Sequence, residues 1–110
     1  MKQKDIYLVN LNPSQGNEQS GTRPVVIISG DTMNTHLGVC IACPLSTKVK
    51  NFASCIILKQ NKINNLSSDS EVITFQVRSI SKKRFIKKIG EITTDELEEI
   101  ITGIDDILHF

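Results

Sequence analysis

The chain has 110 residues, which is enough for a single domain over residues 1–110 and too short for two. Hydrophobic residues make up 39% and aromatic residues 5%, with no Trp, so we expect a modest core of Ile, Val and Leu that self-association would help to bury. The formal net charge of +1 excludes neither nucleic acids nor proteins as partners. Three cysteines are an odd number, which does not suit a framework of paired disulfides. The sequence shows neither a signal peptide nor a stretch of transmembrane length. These features predict a cytoplasmic protein with reduced thiols and no membrane association.

The first half of the chain predicts three strands separated by polar segments. Loose alternation predicts a strand from Asp5 to Leu11, and a β-branched run predicts a central strand from Pro24 to Ser29. The segment between them is rich in Pro, Gly, Asn and Ser, which form turns. After a loop with room for one helical turn, a third strand runs from Val39 to Leu45.

The second half predicts further strands and then a change of period. We expect strands from Phe52 to Lys59, from Glu71 to Ile80 and from Ile86 to Ile92, with a turn or short helix at residues 81–85. From Thr93 onward, apolar residues recur at helical spacing, and Thr93 and Glu96 have the spacing of a capping box. The sequence therefore predicts a mainly β protein, a small antiparallel sheet or barrel covered by a C-terminal helix.

Charge is distributed unevenly in this half. Residues 78–88 contain six basic side chains and no acid, whereas residues 91–106 contain seven acids and no base. This pattern indicates two surfaces of opposite potential, although ordinary solvated surface is the more common explanation of a charge run.

Metal and redox motifs are weak in this sequence. Cys40 and Cys43 lie within a predicted strand, where their odd spacing directs the two sulfurs to opposite faces, so we interpret both as buried structural residues. His36 has no evident partner and His109 is close to the C-terminus, which makes surface roles the better interpretation. We expect no metal ion and no cofactor, since there is neither a carboxylate cluster in the core strands nor a phosphate-binding loop.

The polar residues that remain are consistent with phosphate chemistry. Arg23 stands at the entrance of the second strand, a hydroxyl pair is formed by Ser46 and Thr47, and Gln76 and Arg78 lie in one predicted strand. A guanidinium group presents a planar fork of donors that suits a phosphate gaining charge in a transition state. The alternative for Arg23 is a surface salt bridge.

Several segments resemble the MazF/PemK toxin family, in the family's order and over nearly the whole chain. The stretch GNEQSGTRPVVIIS is similar to its glycine- and arginine-containing signature, and DTMN follows where the family has it. The segments CPLSTK, SDSEVITFQVRSI and KKIGEITTDELEEI resemble later family segments. The resemblance implies a plasmid-maintenance-toxin fold shared with CcdB: a β-barrel with an SH3-like core and a C-terminal helix.

The resemblance also implies an activity and partners. The expected activity is metal-independent, sequence-specific cleavage of single-stranded RNA by the RNA's own 2′-OH, which leaves 2′,3′-cyclic phosphate and 5′-OH ends. The expected assembly is a homodimer, and the expected inhibitor is a cognate antitoxin with an acidic disordered tail.

Residue by residue, the resemblance places the catalytic roles on Arg23, Ser46 and Thr47. It places RNA-binding roles on Asn17, Glu18, Gln19, Lys48, Gln76 and Arg78. The sequence departs from the family where Lys4 and Asn17 replace a Gly and a Ser. It departs again at Phe75, which replaces the acid that precedes the family's Gln.

Two other functions remain open from the sequence. One is a CcdB-like toxin of the same fold that binds DNA gyrase without chemistry, although that family has a Trp-Gly-Ile end and this chain has no Trp. The other is an inactive binding module, which remains open because Phe75 replaces the family's acid.

Overall fold

The computed structural model describes residues 1–12, 16 and 21–110. Within this part of the chain there are seven strands and two α-helices. In chain order they are β1 (Asp5–Asn10), β2 (Thr22–Ile27), α1 (Asp31–His36), β3 (Val39–Ser46), β4 (Ile56–Leu58), β5 (Ser70–Val72), β6 (Arg78–Ser81), β7 (Phe85–Glu91) and α2 (Thr94–His109). Short 3₁₀ turns, Thr74–Gln76 and Lys82–Arg84, flank β6. The predicted mainly β architecture with a C-terminal helix is confirmed.

Strand β3 is the hub of an antiparallel sheet with the order β4-β5-β3-β2-β1-β7. Its last half pairs with β2 along one edge, where Val25 faces Pro44 and Ile27 faces Ala42. Its other edge is shared: β6 pairs with the first half of β3 and β5 with its end. Ser46, the last residue of β3, therefore lies between β2 and β5.

Strand β2 is apolar on both faces because each face is covered. Val26 belongs to a large cluster that includes Leu97 and Ile100 of α2, whereas its neighbour Val25 belongs to a second cluster with Val9 and Ile80. Neighbouring residues of a strand point to opposite faces, so the two clusters lie on either side of the sheet. This confirms the prediction of a central strand. The strand begins at Thr22, two residues before the predicted start at Pro24, because Thr22 and Arg23 also pair with β1.

Helix α2 begins where the capping box predicts. The Thr93 hydroxyl accepts the backbone N–H of Glu96 at 3.1 Å, and the Glu96 carboxylate accepts the backbone N–H of Thr93 at 2.8 Å. Gly103 allows the helix to approach residue 54 closely, because a Cβ there would lie 2.1 Å from the Ser54 carbonyl oxygen. No helix in the described residues is both long and apolar enough to span a membrane.

Two predicted strands are wrong in their extent. The strand expected from Glu71 to Ile80 is divided, because β5 and β6 share one edge of β3 and the chain leaves that edge between them through the turn at Thr74–Gln76. The strand expected from Phe52 to Lys59 shrinks to β4. Ser54 has a φ value of 65°, which an extended strand does not contain.

Candidate active site

A pocket of about 420 Å³ opens where β2, the end of β3 and the turn after β5 meet. Such a volume falls in the range of small-ligand sites. Its lining combines cationic, hydroxyl, amide and aromatic side chains: Arg23, Ser46, Lys48, Lys50, Phe52, Ile73, Phe75 and Gln76. The described lining therefore carries three cations and no acid.

The sheet register brings Arg23 and Ser46 together. The β2–β3 ladder pairs Val25 with Pro44, which lie two residues from Arg23 and two residues from Ser46, so both site residues lie at the same end of that ladder. Arg23 is also paired with Val9 of β1, which fixes its backbone on that side. The guanidinium and the hydroxyl thus project into one pocket from adjacent strands of the sheet.

The Ser46 hydroxyl is largely buried at the end of β3, with 9% of the residue exposed. Its oxygen accepts the backbone N–H of Lys48 at 3.2 Å, which fixes the turn that follows the strand. Because a hydroxyl that accepts through a lone pair retains its O–H as a donor, Ser46 is equipped to donate to an anionic oxygen in the pocket.

A buried acid holds the segment that supplies Lys48, Lys50 and Phe52. Glu71 of β5 is fully buried, and its two carboxylate oxygens accept the backbone N–H groups of Lys50 and Phe52, each at 2.8 Å. Hydrogen bonds to a carboxylate are among the stronger ones in proteins. This role was not predicted from the sequence, where the available signal was an acid directly beside the apolar residues of a predicted strand.

Two aromatic rings form one wall of the pocket. Phe52 and Phe75 meet edge to face, with ring centroids 5.1 Å apart and an interplanar angle of 90°. Phe52 is 41% exposed and Phe75 is 48% exposed. Sequence reasoning singled out Phe75 only as the replacement of an acid, and it missed Phe52.

The structure gathers four of the nine predicted site residues in this pocket: Arg23, Ser46, Lys48 and Gln76. Gln76 belongs to a 3₁₀ turn and not to the strand predicted for it. Thr47 is exposed and Arg78 lies on β6 opposite Ala42, and neither lines the pocket. The predicted RNA-binding residues Asn17, Glu18 and Gln19 lie outside the described residues.

A second, larger cavity has the opposite charge. It measures about 550 Å³ and lies between α2 and the segment around Cys55, with Asp95, Glu98, Glu99 and Asp106 in its wall. Carboxylates repel phosphates, so the pocket at Arg23 is the candidate for an anionic substrate.

The cysteine and histidine residues that the sequence offered as candidates for metal or thiol chemistry have structural or surface roles. Cys40 and Cys43 are buried, as predicted, and burial raises the pKa of the Cys43 thiol to about 12. All three cysteines are free. His36 is exposed, with Nδ1 bonded to the Thr32 carbonyl at 2.8 Å. Within the described ranges, no group of three or more His, Cys, Asp or Glu residues is arranged to hold a metal ion.

Comparison with known proteins gives a family and a fold. Residues 2–108 match the family described as PemK-like, MazF-like toxin of type II toxin–antitoxin system. The endoribonuclease MazF of Staphylococcus saprophyticus is 31% identical over 107 residues, which cover 96% of this chain and 88% of that protein.

Solved structures share the fold over nearly the whole chain. The crystal structure of MazF (Form-I) from Deinococcus radiodurans superposes with a TM-score of 0.84 at 24% identity, covering 99% of this chain and 96% of the other. An endoribonuclease in complex with its cognate antitoxin from a mycobacterial species has a TM-score of 0.79 at 18% identity, covering 98% and 94%.

Proposed function

Because the chain belongs to the PemK-like, MazF-like toxins of type II toxin–antitoxin systems and is a homologue of a MazF endoribonuclease, we propose that it cleaves single-stranded RNA in the pocket of Arg23 and Ser46. The observation that carries the proposal is that Arg23 and Ser46, on the adjacent strands β2 and β3, line the same pocket. A fixed guanidinium and a hydroxyl donor on a rigid sheet form a site for a phosphate that gains charge during reaction.

The reaction uses a nucleophile that RNA itself provides. The 2′-oxygen attacks the adjacent phosphorus, the bond to the 5′-oxygen breaks, and the 2′-OH proton is lost as the 5′-oxygen gains one. The products are a 2′,3′-cyclic phosphate and a 5′-OH end. DNA lacks the 2′-OH and is not a substrate.

The pocket contributes orientation and charge stabilisation in this mechanism. Arg23 and Ser46 donate hydrogen bonds to the non-bridging oxygens of the phosphorane, and Lys48 and Lys50 attract the flanking phosphates. The described lining holds neither a carboxylate nor an imidazole, so we assign no proton transfer to it. No step requires a metal ion.

The proposal includes the partners of the toxin. A cognate antitoxin with an acidic, disordered tail would enter the same cationic pocket and exclude RNA, because both ligands are anionic. We further propose that the toxin acts as a homodimer and in the cytoplasm, where mRNA is available. The antitoxin part is supported by the likeness to the mycobacterial endoribonuclease in complex with its cognate antitoxin.

The test is cleavage of a long RNA by the purified protein in EDTA, with the new ends mapped and their chemistry determined. We expect cuts at a short recurring sequence with 5′-OH ends, and no cut where the nucleotide carrying the attacking oxygen is 2′-deoxy. Lys62→Ala, which removes an exposed cation outside the pocket, is the control for Arg23→Ala. RNA binding without cleavage would contradict the proposal. It would favour the alternative of an inactive binding module, which was kept open because Phe75 replaces the family's acid.

A further inference from the structure

We propose that the edge-to-face pair of Phe52 and Phe75 is a stacking site for a nucleobase next to the scissile phosphate. The inference rests on the proposed function, since it assigns a role in RNA binding to one wall of the same pocket. The site takes an unpaired base and recognises its aromatic face.

The first support is the exposure of the two rings. Single exposed apolar residues are common on protein surfaces, but here two phenyl rings lie together inside a cavity whose other side chains are mostly cationic or polar. An edge-to-face contact covers one face of one ring only, so the pair itself leaves the remaining ring faces available for a planar ligand.

The second support is that both rings are held in position by hydrogen-bonded backbone. The N–H of Phe52 is bound by the buried Glu71 carboxylate. Phe75 lies in a turn closed by a bond from the Gln76 N–H to the Ile73 carbonyl, and the Thr74 hydroxyl anchors that turn to the Ser54 carbonyl at 2.9 Å. A site that is ordered before binding loses little entropy when the ligand arrives.

The third support is the charge that surrounds the rings. Arg23, Lys48 and Lys50 line the same pocket, and aromatic rings among cations that follow a backbone are typical of proteins that bind single-stranded nucleic acids. An acidic peptide would also be attracted to the cations. The nucleotide is favoured because Arg23 and Ser46 provide a phosphate site within the same 420 Å³ as the rings.

The proposal has a consequence for base preference. A carboxylate at position 75 would accept hydrogen bonds from a base edge, whereas a phenyl ring has no such acceptor. Stacking depends on ring area, so we expect this subsite to accept all four bases, purines somewhat better than pyrimidines, and to lose affinity when the base is removed.

The experiment measures binding of RNA oligonucleotides made uncleavable by one 2′-deoxy nucleotide at the mapped cut site. An abasic nucleotide is placed in turn at each flanking position. Wild-type protein should lose about 5- to 100-fold in affinity at one position. Phe75→Leu and Phe52→Leu should lose a similar factor on intact RNA and little more on the abasic RNA, and Phe75→Tyr should bind as wild type. Phe110→Leu, which changes a fully exposed Phe away from the pocket, is the matched control.

The outcomes separate this proposal from the proposed function. The stacking site alone is overturned if the protein cleaves RNA normally but no abasic nucleotide lowers the affinity of the wild type more than that of Phe75→Leu. The stacking site is also overturned if the losses of RNA affinity caused by the abasic nucleotide and by Phe75→Leu add in full when the two changes are combined. If Phe75→Leu binds RNA normally but loses an acidic peptide, the pair is a protein-docking surface instead. A protein that cuts no RNA overturns the proposed function and the stacking site together.

Discussion

Glu71 and Phe52 are joined by a hydrogen bond between a buried carboxylate and the backbone of an exposed aromatic residue. The Phe52 N–H lies 2.8 Å from Oε2 of Glu71, and the other oxygen of the same carboxylate holds Lys50. An acid inside the sheet thereby sets the position of an aromatic ring and a cation that line the pocket on the surface. The pocket's shape depends on a residue that does not line it.

Glu71→Ala should lower both stability and activity. The variant leaves two backbone N–H groups without their acceptor, which costs about 1–3 kcal/mol for each that stays buried. Urea denaturation measures the free energy of unfolding, and RNA cleavage under folding conditions measures the pocket. Asp69→Ala is the matched control, because Asp69 accepts one backbone N–H, that of Gln60 at 2.9 Å, in an exposed turn. Unchanged cleavage by a folded Glu71→Ala protein would contradict a positioning role.

Arg23→Lys should lose nearly as much activity as Arg23→Ala. An ammonium group retains the charge but lacks the planar fork that binds two phosphate oxygens at once. Loss of one charge-stabilising donor costs roughly a hundredfold or more in rate. Single-turnover cleavage gives the rate, and circular dichroism reports the fold, which should be intact. A lysine variant that cuts at the wild-type rate would remove Arg23 from the reaction.

Ser46→Ala should lose less activity than Arg23→Ala, and Ser46→Thr should keep most of it. Alanine removes the O–H donor and the acceptor for the Lys48 N–H, whereas threonine retains a hydroxyl. The comparison of cleavage rates at saturating RNA separates this effect from binding. Equal losses for the alanine and threonine variants would point to packing at this largely buried position and not to the hydroxyl.

The three cysteines should react with a thiol reagent at very different rates. Burial raises the pKa of Cys43 to about 12 and also raises that of Cys40, so their thiolates are rare at neutral pH and the sulfurs are shielded. Cys55 is only half-buried. Titration with a chromogenic disulfide at pH 8 should modify one thiol in the folded protein and three after unfolding. Cys55→Ser should abolish the fast phase, and a fast phase that survives would contradict this assignment.

The protein should sediment at twice its chain mass at micromolar concentration. The core is small and poor in aromatic residues, and several large apolar side chains remain exposed on the described surface, among them Leu37, Ile63 and Ile86. Sedimentation equilibrium over a range of concentrations measures the assembly. A stable monomer would refute the proposed homodimer.

Local patterns predicted the parts of the fold that local rules govern. The β-branched run at Val25 and Val26 indicated a central strand, and the capping box at Thr93 placed the start of α2 to the residue. The division between β5 and β6 was not predictable in this way, because it arises when two strands share one edge of β3. The positive φ of Asn51, a non-glycine residue, was also not predictable from any local pattern.

The candidate site shows the same limit. Arg23 and Ser46 were identified as separate residues, and only the register of β2 against β3 brings them together. Phe52 was assigned to a strand that does not extend that far, so its pairing with Phe75 was missed. The acid Glu71 stands out beside apolar residues, but its partners are backbone groups 19 and 21 residues away, which the side-chain pattern does not identify.

The pairing of β1 with β7 bears on when the chain acquires its structure during translation. Residues 5–10 of β1 leave the ribosome well before their partners in β7, which are synthesised much later. At roughly 5–20 residues per second, synthesis of the intervening chain takes several seconds. Through that interval β1, which pairs with the strand that carries Arg23, has one edge uncovered. A nascent toxin would therefore lack its complete sheet until β7 has emerged, which delays any cleavage of the message being translated.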